Sequence, residues 1–145
     1  ALQMASQATK GAAKLLRADM VNDSLPTLLS ERFDLIFTDG LFEHFSNQEQ
    51  DKILRNLIAV LKPNGFIVTF VPNRWSPWEI IRPFFMPGIE EKPFVLQGLV
   101  DLNRRNDLVI VRSGGVNVLP YRFSPEFLGS VFGMLLFTVA KKVKL

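Results

Sequence analysis

Between Phe33 and Val71 the chain passes through two compact apolar runs, Phe33-Asp34-Leu35-Ile36-Phe37-Thr38 and Phe66-Ile67-Val68-Thr69-Phe70-Val71, with one amphipathic stretch between them. Ser46-Asn47-Gln48-Glu49 opens that stretch as a capping box: the serine hydroxyl accepts from the backbone three residues on, and Glu49 reaches back. Ile53, Leu54, Leu57, Ile58 and Leu61 then fall on one helical face, with Asp51, Lys52, Arg55 and Asn56 on the other. Lys62-Pro63-Asn64-Gly65 reads as the turn that ends the helix, and Pro72 closes the second run. Apolar runs of this length, bounded by charge and turn residues, predict buried strands, the first of them central in its sheet. Strand, helix, strand over about 39 residues predicts a βαβ unit with a right-handed crossover.

The flanks extend the pattern. Ala1 to Thr9 predicts a short helix stopped by Gly11, leading into a strand over Ala13 to Ala18. Asp19 to Ser24 is a loop, with a helical turn around Pro26 to Leu29. Residues 73–92, with both tryptophans, three prolines and a glycine, read as an excursion over the sheet edge. Phe94 to Arg105 predicts a helix, Leu108 to Val111 a strand, Gly114-Gly115 a turn, Ser124-Pro125-Glu126 a helix start, and Met134 to Ala140 the last strand. This order predicts an α/β sheet with helices on both faces.

Composition narrows the function classes. The 145 residues are 48% hydrophobic and 21% charged, with a net charge of +3, as expected of one globular domain. With no cysteine, disulfides and thiolate zinc sites are excluded. His44 is the single histidine, so histidine clusters are excluded too, and any metal has to sit among carboxylates. No metal ligand is assigned from the sequence. Three excess charges without a cluster do not predict nucleic-acid binding. No apolar run reaches the roughly 18 to 20 residues that cross a bilayer, and Ala1 to Leu16 lacks a secretory apolar core, so the expected compartment is the cytoplasm.

In α/β sheets ligands bind beyond the carboxyl ends of the strands. The segments Asp19 to Asp23, Thr38 to Phe45 and Pro72 to Trp78 each follow a predicted strand and are the candidate ligand loops. At each position a structural role stands beside the functional one: Asp19 as a loop-stabilising acceptor, Asp39-Gly40 as a plain turn, Glu43 as a partner near the helix start, His44 as a packed entry residue, and Trp75 and Trp78 as one helical face on the core.

The phrases Phe33-Asp34-Leu35-Ile36, Leu41-Phe42-Glu43-His44-Phe45, Leu61-Lys62-Pro63-Asn64-Gly65 and Val71-Pro72-Asn73 resemble, in order and spacing, the fourth strand, following helix and fifth strand of class I S-adenosylmethionine-dependent methyltransferases. Leu15 to Met20 is similar to that family's third strand, and the tail to its closing antiparallel pair. The resemblance implies a Rossmann-like, mostly parallel sheet with an antiparallel last strand, in a single partial domain over residues 1–145 that starts at the helix after the second strand. The first two strands, with their glycine-rich cofactor loop and acidic ribose ligand, are missing from it.

The same resemblance implies S-adenosylmethionine as cofactor and a small-molecule substrate. Asp19 would accept from the adenine amino group with Met20 against the ring. Thr38, Asp39, Gly40 and Phe42 would line the methionine end, and His44 would serve as general base. Arg74, Trp75 and Trp78 would build a substrate cover over 73–92. The alternative is a non-catalytic truncated module acting through oligomerisation, as a homo-oligomer joined at open sheet edges, or through protein interaction. A nicotinamide enzyme lacks its own glycine fingerprint here.

Overall fold

The computed structural model describes residues 10, 12–85, 88, 91–118 and 126–143. Four strands, β1 (Phe33–Asp39), β2 (Leu61–Pro72), β3 (Leu108–Val116) and β4 (Leu135–Lys142), form one sheet in the order β1-β2-β4-β3. β1 and β2 are parallel, and β4 lies antiparallel between β2 and β3. The helices are α1 (Leu25–Leu28), α2 (Asn47–Ala59), α3 (Trp78–Phe85), α4 (Leu96–Arg104) and α5 (Glu126–Phe132), with a 3₁₀ turn at Phe42–His44. This is the expected α/β, Rossmann-like sheet with its last strand antiparallel.

α2 forms as its sequence dictates. The Ser46 hydroxyl accepts from the Glu49 backbone, and the Glu49 carboxylate accepts from the Ser46 backbone at 2.8 Å, closing the capping box. Ile53, Leu54 and Leu57 of α2 and Leu99 and Leu102 of α4 pack with Ile67, Val71, Leu136 and Ala140 of the sheet into one core. Each large apolar side chain among them contributes about 1.5 to 3 kcal/mol when fully buried. Lys142 at the end of β4 donates to the carbonyls of Ile58 and Leu61, at 2.8 and 3.0 Å, so its ammonium covers the helix-to-strand corner.

Four expectations are corrected. Ala13 to Ala18 is not a strand, because no described strand lies alongside to take its hydrogen bonds. β1 is an edge strand of the described sheet rather than a central one, with Leu35 58% and Phe37 61% exposed on the face away from α2 and α4. Lys62 to Gly65 does not end the helix, which stops at Ala59, but bulges within β2 between the pairs Phe33↔Leu61 and Leu35↔Phe66. Asn64 takes the left-handed backbone that the bulge requires, at φ 63°.

Gly114-Gly115 is strand rather than turn: β3 continues through it to Val116. A Cβ on Gly115 would lie 1.8 Å from the Gly129 carbonyl oxygen, so the missing side chain lets α5 approach the strand backbone. The expected helix over Ala1 to Thr9 and the Ser124-Pro125 helix start lie outside the described residues.

Candidate ligand site at the strand ends

The carboxyl ends of β1 and β2 open side by side. The Gly40 N–H donates to the Phe70 carbonyl at 3.3 Å, just past the last residue of β1. Gly40 then turns the chain with φ 64°, a backbone open to glycine at no steric cost. Phe42 and Glu43 bury in the 3₁₀ turn that follows. Gln50, in the first turns of α2, clamps this turn by donating to the carbonyls of Phe42 and Phe45 at 2.9 and 3.1 Å.

The excursion after β2 returns to the same mouth. Asn73 is fully buried and anchors its departure, donating to the carbonyls of Val131 and Gly133 at 3.0 and 2.8 Å while accepting from the Trp75 backbone at 3.1 Å. Arg74 and Phe94 pair across the neck, and the Lys92 N–H donates to the Glu43 carbonyl at 2.9 Å. Within this excursion α3 carries Ile80, Phe84 and Phe85 at 75%, 84% and 72% exposure. Trp78 stacks on Phe85 at 5.8 Å. Trp75 precedes the helix, is 62% exposed and lies under the Arg74 guanidinium at 6.0 Å, so it shares no buried helical face with Trp78.

Three polar groups stand out at the mouth. The Thr38 hydroxyl is buried and has no hydrogen-bond partner. Glu43 is 2% exposed, and its Oε2 also lacks a partner. Burial pushes the Glu43 carboxyl up; its own backbone N–H and His44 oppose this, and the nearby Glu91 and Asp39 carboxylates add to it. The His44 imidazole, 43% exposed, stands with Nε2 3.9 Å from Glu43 Oε1.

The structure thus gathers Thr38, Asp39, Gly40, Phe42 and His44 at one strand end, with Arg74, Trp75 and Trp78 on the neighbouring excursion. Asp19 and Met20 lie elsewhere. Asp19 Oδ1 accepts from the backbones of Val21 and Asn22, at 2.9 and 3.1 Å, and Oδ2 from the Asn22 amide at 2.9 Å. The Asn22 amide first, then the two backbone N–H groups, hold its pKa below the ordinary value. The Met20 carbonyl accepts from Asn56 at 3.3 Å, in the last turns of α2, whereas the mouth is at the opposite end of that helix. At 1.5 Å per residue, Gln50 and Asn56 are about 9 Å apart along α2. Glu91 is the residue at the mouth that no sequence signal marks. It follows no strand and belongs to no motif, so only the return of the excursion brings it to Glu43.

Comparison with known proteins bears on the fold that carries this arrangement. A family model described as a methyltransferase domain matches residues 1–65. The solved structure of the N-methyltransferase NodS from Bradyrhizobium japonicum WM9, in complex with S-adenosyl-L-homocysteine, superposes with a TM-score of 0.64 at 14% identity, covering 99% of this chain and 62% of NodS. A SAM-dependent methyltransferase from Archaeoglobus fulgidus gives 0.67 at 17% identity over 92% of this chain and 69% of that one. PhzM, a pyocyanin biosynthetic protein, gives 0.65 at 14% identity, covering 97% of this chain and 38% of PhzM.

The fold is therefore that of the class I S-adenosylmethionine-dependent methyltransferases, and the resemblance carried by residues 33–73 holds. The chain spans 38% of the length of PhzM and 62% of that of NodS. No curated protein sequence matches it significantly.

Proposed function

We propose that this chain forms the acceptor-side part of a domain that transfers a methyl group from S-adenosylmethionine to a small molecule. The observation that carries this reading is the convergence of Thr38 to His44 and the 73–92 excursion on one strand-end mouth, within a methyltransferase fold. Two features fit the methionine end of the cofactor: an orphaned, buried Thr38 hydroxyl, and a left-handed Gly40 turn that keeps side-chain bulk from the strand end. A buried hydroxyl without a partner is costly, and a polar ligand removes that cost. In this reading Asp39 and Phe42 complete the methionine pocket. Asp19 and Met20 keep the adenine role in this reading, at a distance from the mouth because adenine and methionine are opposite ends of the cofactor.

When bound, the cofactor supplies an electrophilic methyl on a sulfonium whose sulfur takes the bonding pair as the methyl leaves. The protein then has to hold the nucleophile in line and exclude water. Arg74, Trp75 and Trp78 form the acceptor cover in this assignment, with the exposed apolar side of α3 closing over the mouth. His44 is the one imidazole available to take the acceptor's proton. Calorimetry with S-adenosylhomocysteine on the protein that contains this chain tests the reading. Saturable heat is expected, weakened about tenfold by Gly40→Val, where a β-branched residue meets left-handed backbone. Absence of heat with either S-adenosylhomocysteine or S-adenosylmethionine overturns it.

One observation favours a second reading, a non-catalytic module that associates through its sheet. β1 ends the described sheet with Leu35 and Phe37 exposed, and an unpaired edge of this kind templates pairing with another chain.

A further inference from the structure

Beside the mouth lies a cluster that the transfer reading does not use as a unit. One ligand-capable atom from each of Glu43, His44 and Glu91 lies within 4.8 Å of the other two. The three come from two separate parts of the chain, Glu43 and His44 from the turn after β1 and Glu91 from the end of the excursion. The Lys92 to Glu43 backbone hydrogen bond of 2.9 Å holds those parts together.

We propose that Glu43, His44 and Glu91 form a site for one divalent first-row transition cation of the zinc class. The proposal does not rest on the methyl-transfer reading, and a His44 that holds the cation is not the base named there.

The unpartnered Glu43 oxygen points to a ligand independently of the cluster. Its carboxylate is 2% exposed, and Oε2 accepts no hydrogen bond. Leaving such a group unsatisfied is costly, and a coordinated cation compensates it. Charge agrees, since the Glu91 and Asp39 carboxylates both stand near enough to act on Glu43. An imidazole among the ligands suits zinc, whereas all-oxygen sets of carboxylates and carbonyls suit magnesium and calcium.

The geometry is close to closed. Zinc binds nitrogen and carboxylate oxygen at roughly 2.0 to 2.2 Å, which sets its ligand atoms about 3.3 Å apart in a tetrahedron. Closing the cluster from 4.8 Å requires the exposed His44 to turn toward Glu43 and Glu91, whose side chains are 2% and 13% exposed. Arg82 pairs with Glu91, with Nη1 3.6 Å from Glu91 Oε2 and Nε 3.2 Å from Glu79 Oε2. Partners outside the coordination shell commonly orient ligating carboxylates in this way. Three protein ligands leave a fourth position on the exposed His44 side for water or a small molecule.

The test is a calorimetric titration of chelator-treated protein with Zn(II), followed by Co(II) as a spectroscopic probe. One ion per chain and visible cobalt bands typical of four-coordination are expected. Glu91→Gln and His44→Ala should each weaken zinc at least about tenfold. Glu43→Gln should also lose zinc, and its melting temperature without metal should not fall, because the substitution removes a buried charge one of whose oxygens has no partner. Asp34→Asn, at the far end of β1 in an exposed pair with Lys62, should leave zinc affinity unchanged. No saturable zinc binding, equal affinity in the parent and Glu91→Gln, or equal response to Mg(II) and Zn(II) overturns the proposal.

Discussion

Gly40 and Gly115 show how single residues set what the mouth and the sheet tolerate. At Gly40 the backbone is left-handed, φ 64°, and a Cβ added there would lie only 3.3 Å from Glu43 Oε1. Gly40→Ala therefore meets both conformational strain and a crowded carboxylate, and should cost about 1 to 3 kcal/mol in chemical denaturation. At Gly115 the obstacle is backbone, since a Cβ would lie 1.8 Å from the Gly129 carbonyl oxygen and no rotamer relieves it. Gly115→Ala should cost at least about 1 to 3 kcal/mol, by the mechanism of overpacking, and shift α5 away from β3; a melting temperature equal to that of the parent would contradict this. The pair Gly114-Gly115 looks like a turn in sequence because glycine marks both turns and close contacts. Only the partner, further along the chain at Gly129, distinguishes them.

At the scale of elements, α2 is joined to the end of α4 by one carboxylate. Asp51 accepts from Arg105 and from Asn106, both at 2.7 Å, and Asn106 also donates to the Leu102 carbonyl. Burial pushes the Asp51 carboxyl up, but the Asn106 amide and the Arg105 guanidinium outweigh it and hold the pKa below its ordinary 3.8. A folded-state pKa below the unfolded one contributes stability above the unfolded value, and that stability is lost as pH falls through the folded value. Asp51→Asn should cost about 1 kcal/mol at pH 7, given partners that are partly solvent-screened. Its difference from the parent should shrink as pH drops below 3.8, which thermal melts across that range would show. Ser46→Ala should cost about 1 kcal/mol through loss of the N-cap, read as a lower denaturation midpoint. That helix is legible in the sequence because both its cap and its apolar face are local. Ala13 to Ala18 misleads for the complementary reason: its residues are not strand formers by propensity, and strand identity needs a neighbour.

For the molecule as a whole, one sheet face is built into the core by α2 and α4, and the other carries an aromatic row. Phe37, Phe70 and Phe137 stand 5.6 and 5.8 Å apart across β1, β2 and β4. If this face and the β1 edge associate between copies, Leu35→Lys with Phe37→Lys should shift light-scattering mass toward the monomer. An unchanged mass in the double variant would count against the associating module. Sequence alone carries the β1-α2-β2 unit, the last strand and the class of fold, because these follow from periodicity, capping and motif order within short spans. Three features emerge only on folding: which face of β1 is covered, that Lys62 to Gly65 bulges rather than ends a helix, and that Glu91 meets Glu43 and His44. Each of those depends on a contact between residues distant in the chain, and burial or charge at such a contact is a property of the folded surroundings rather than of the residues' own neighbours in sequence.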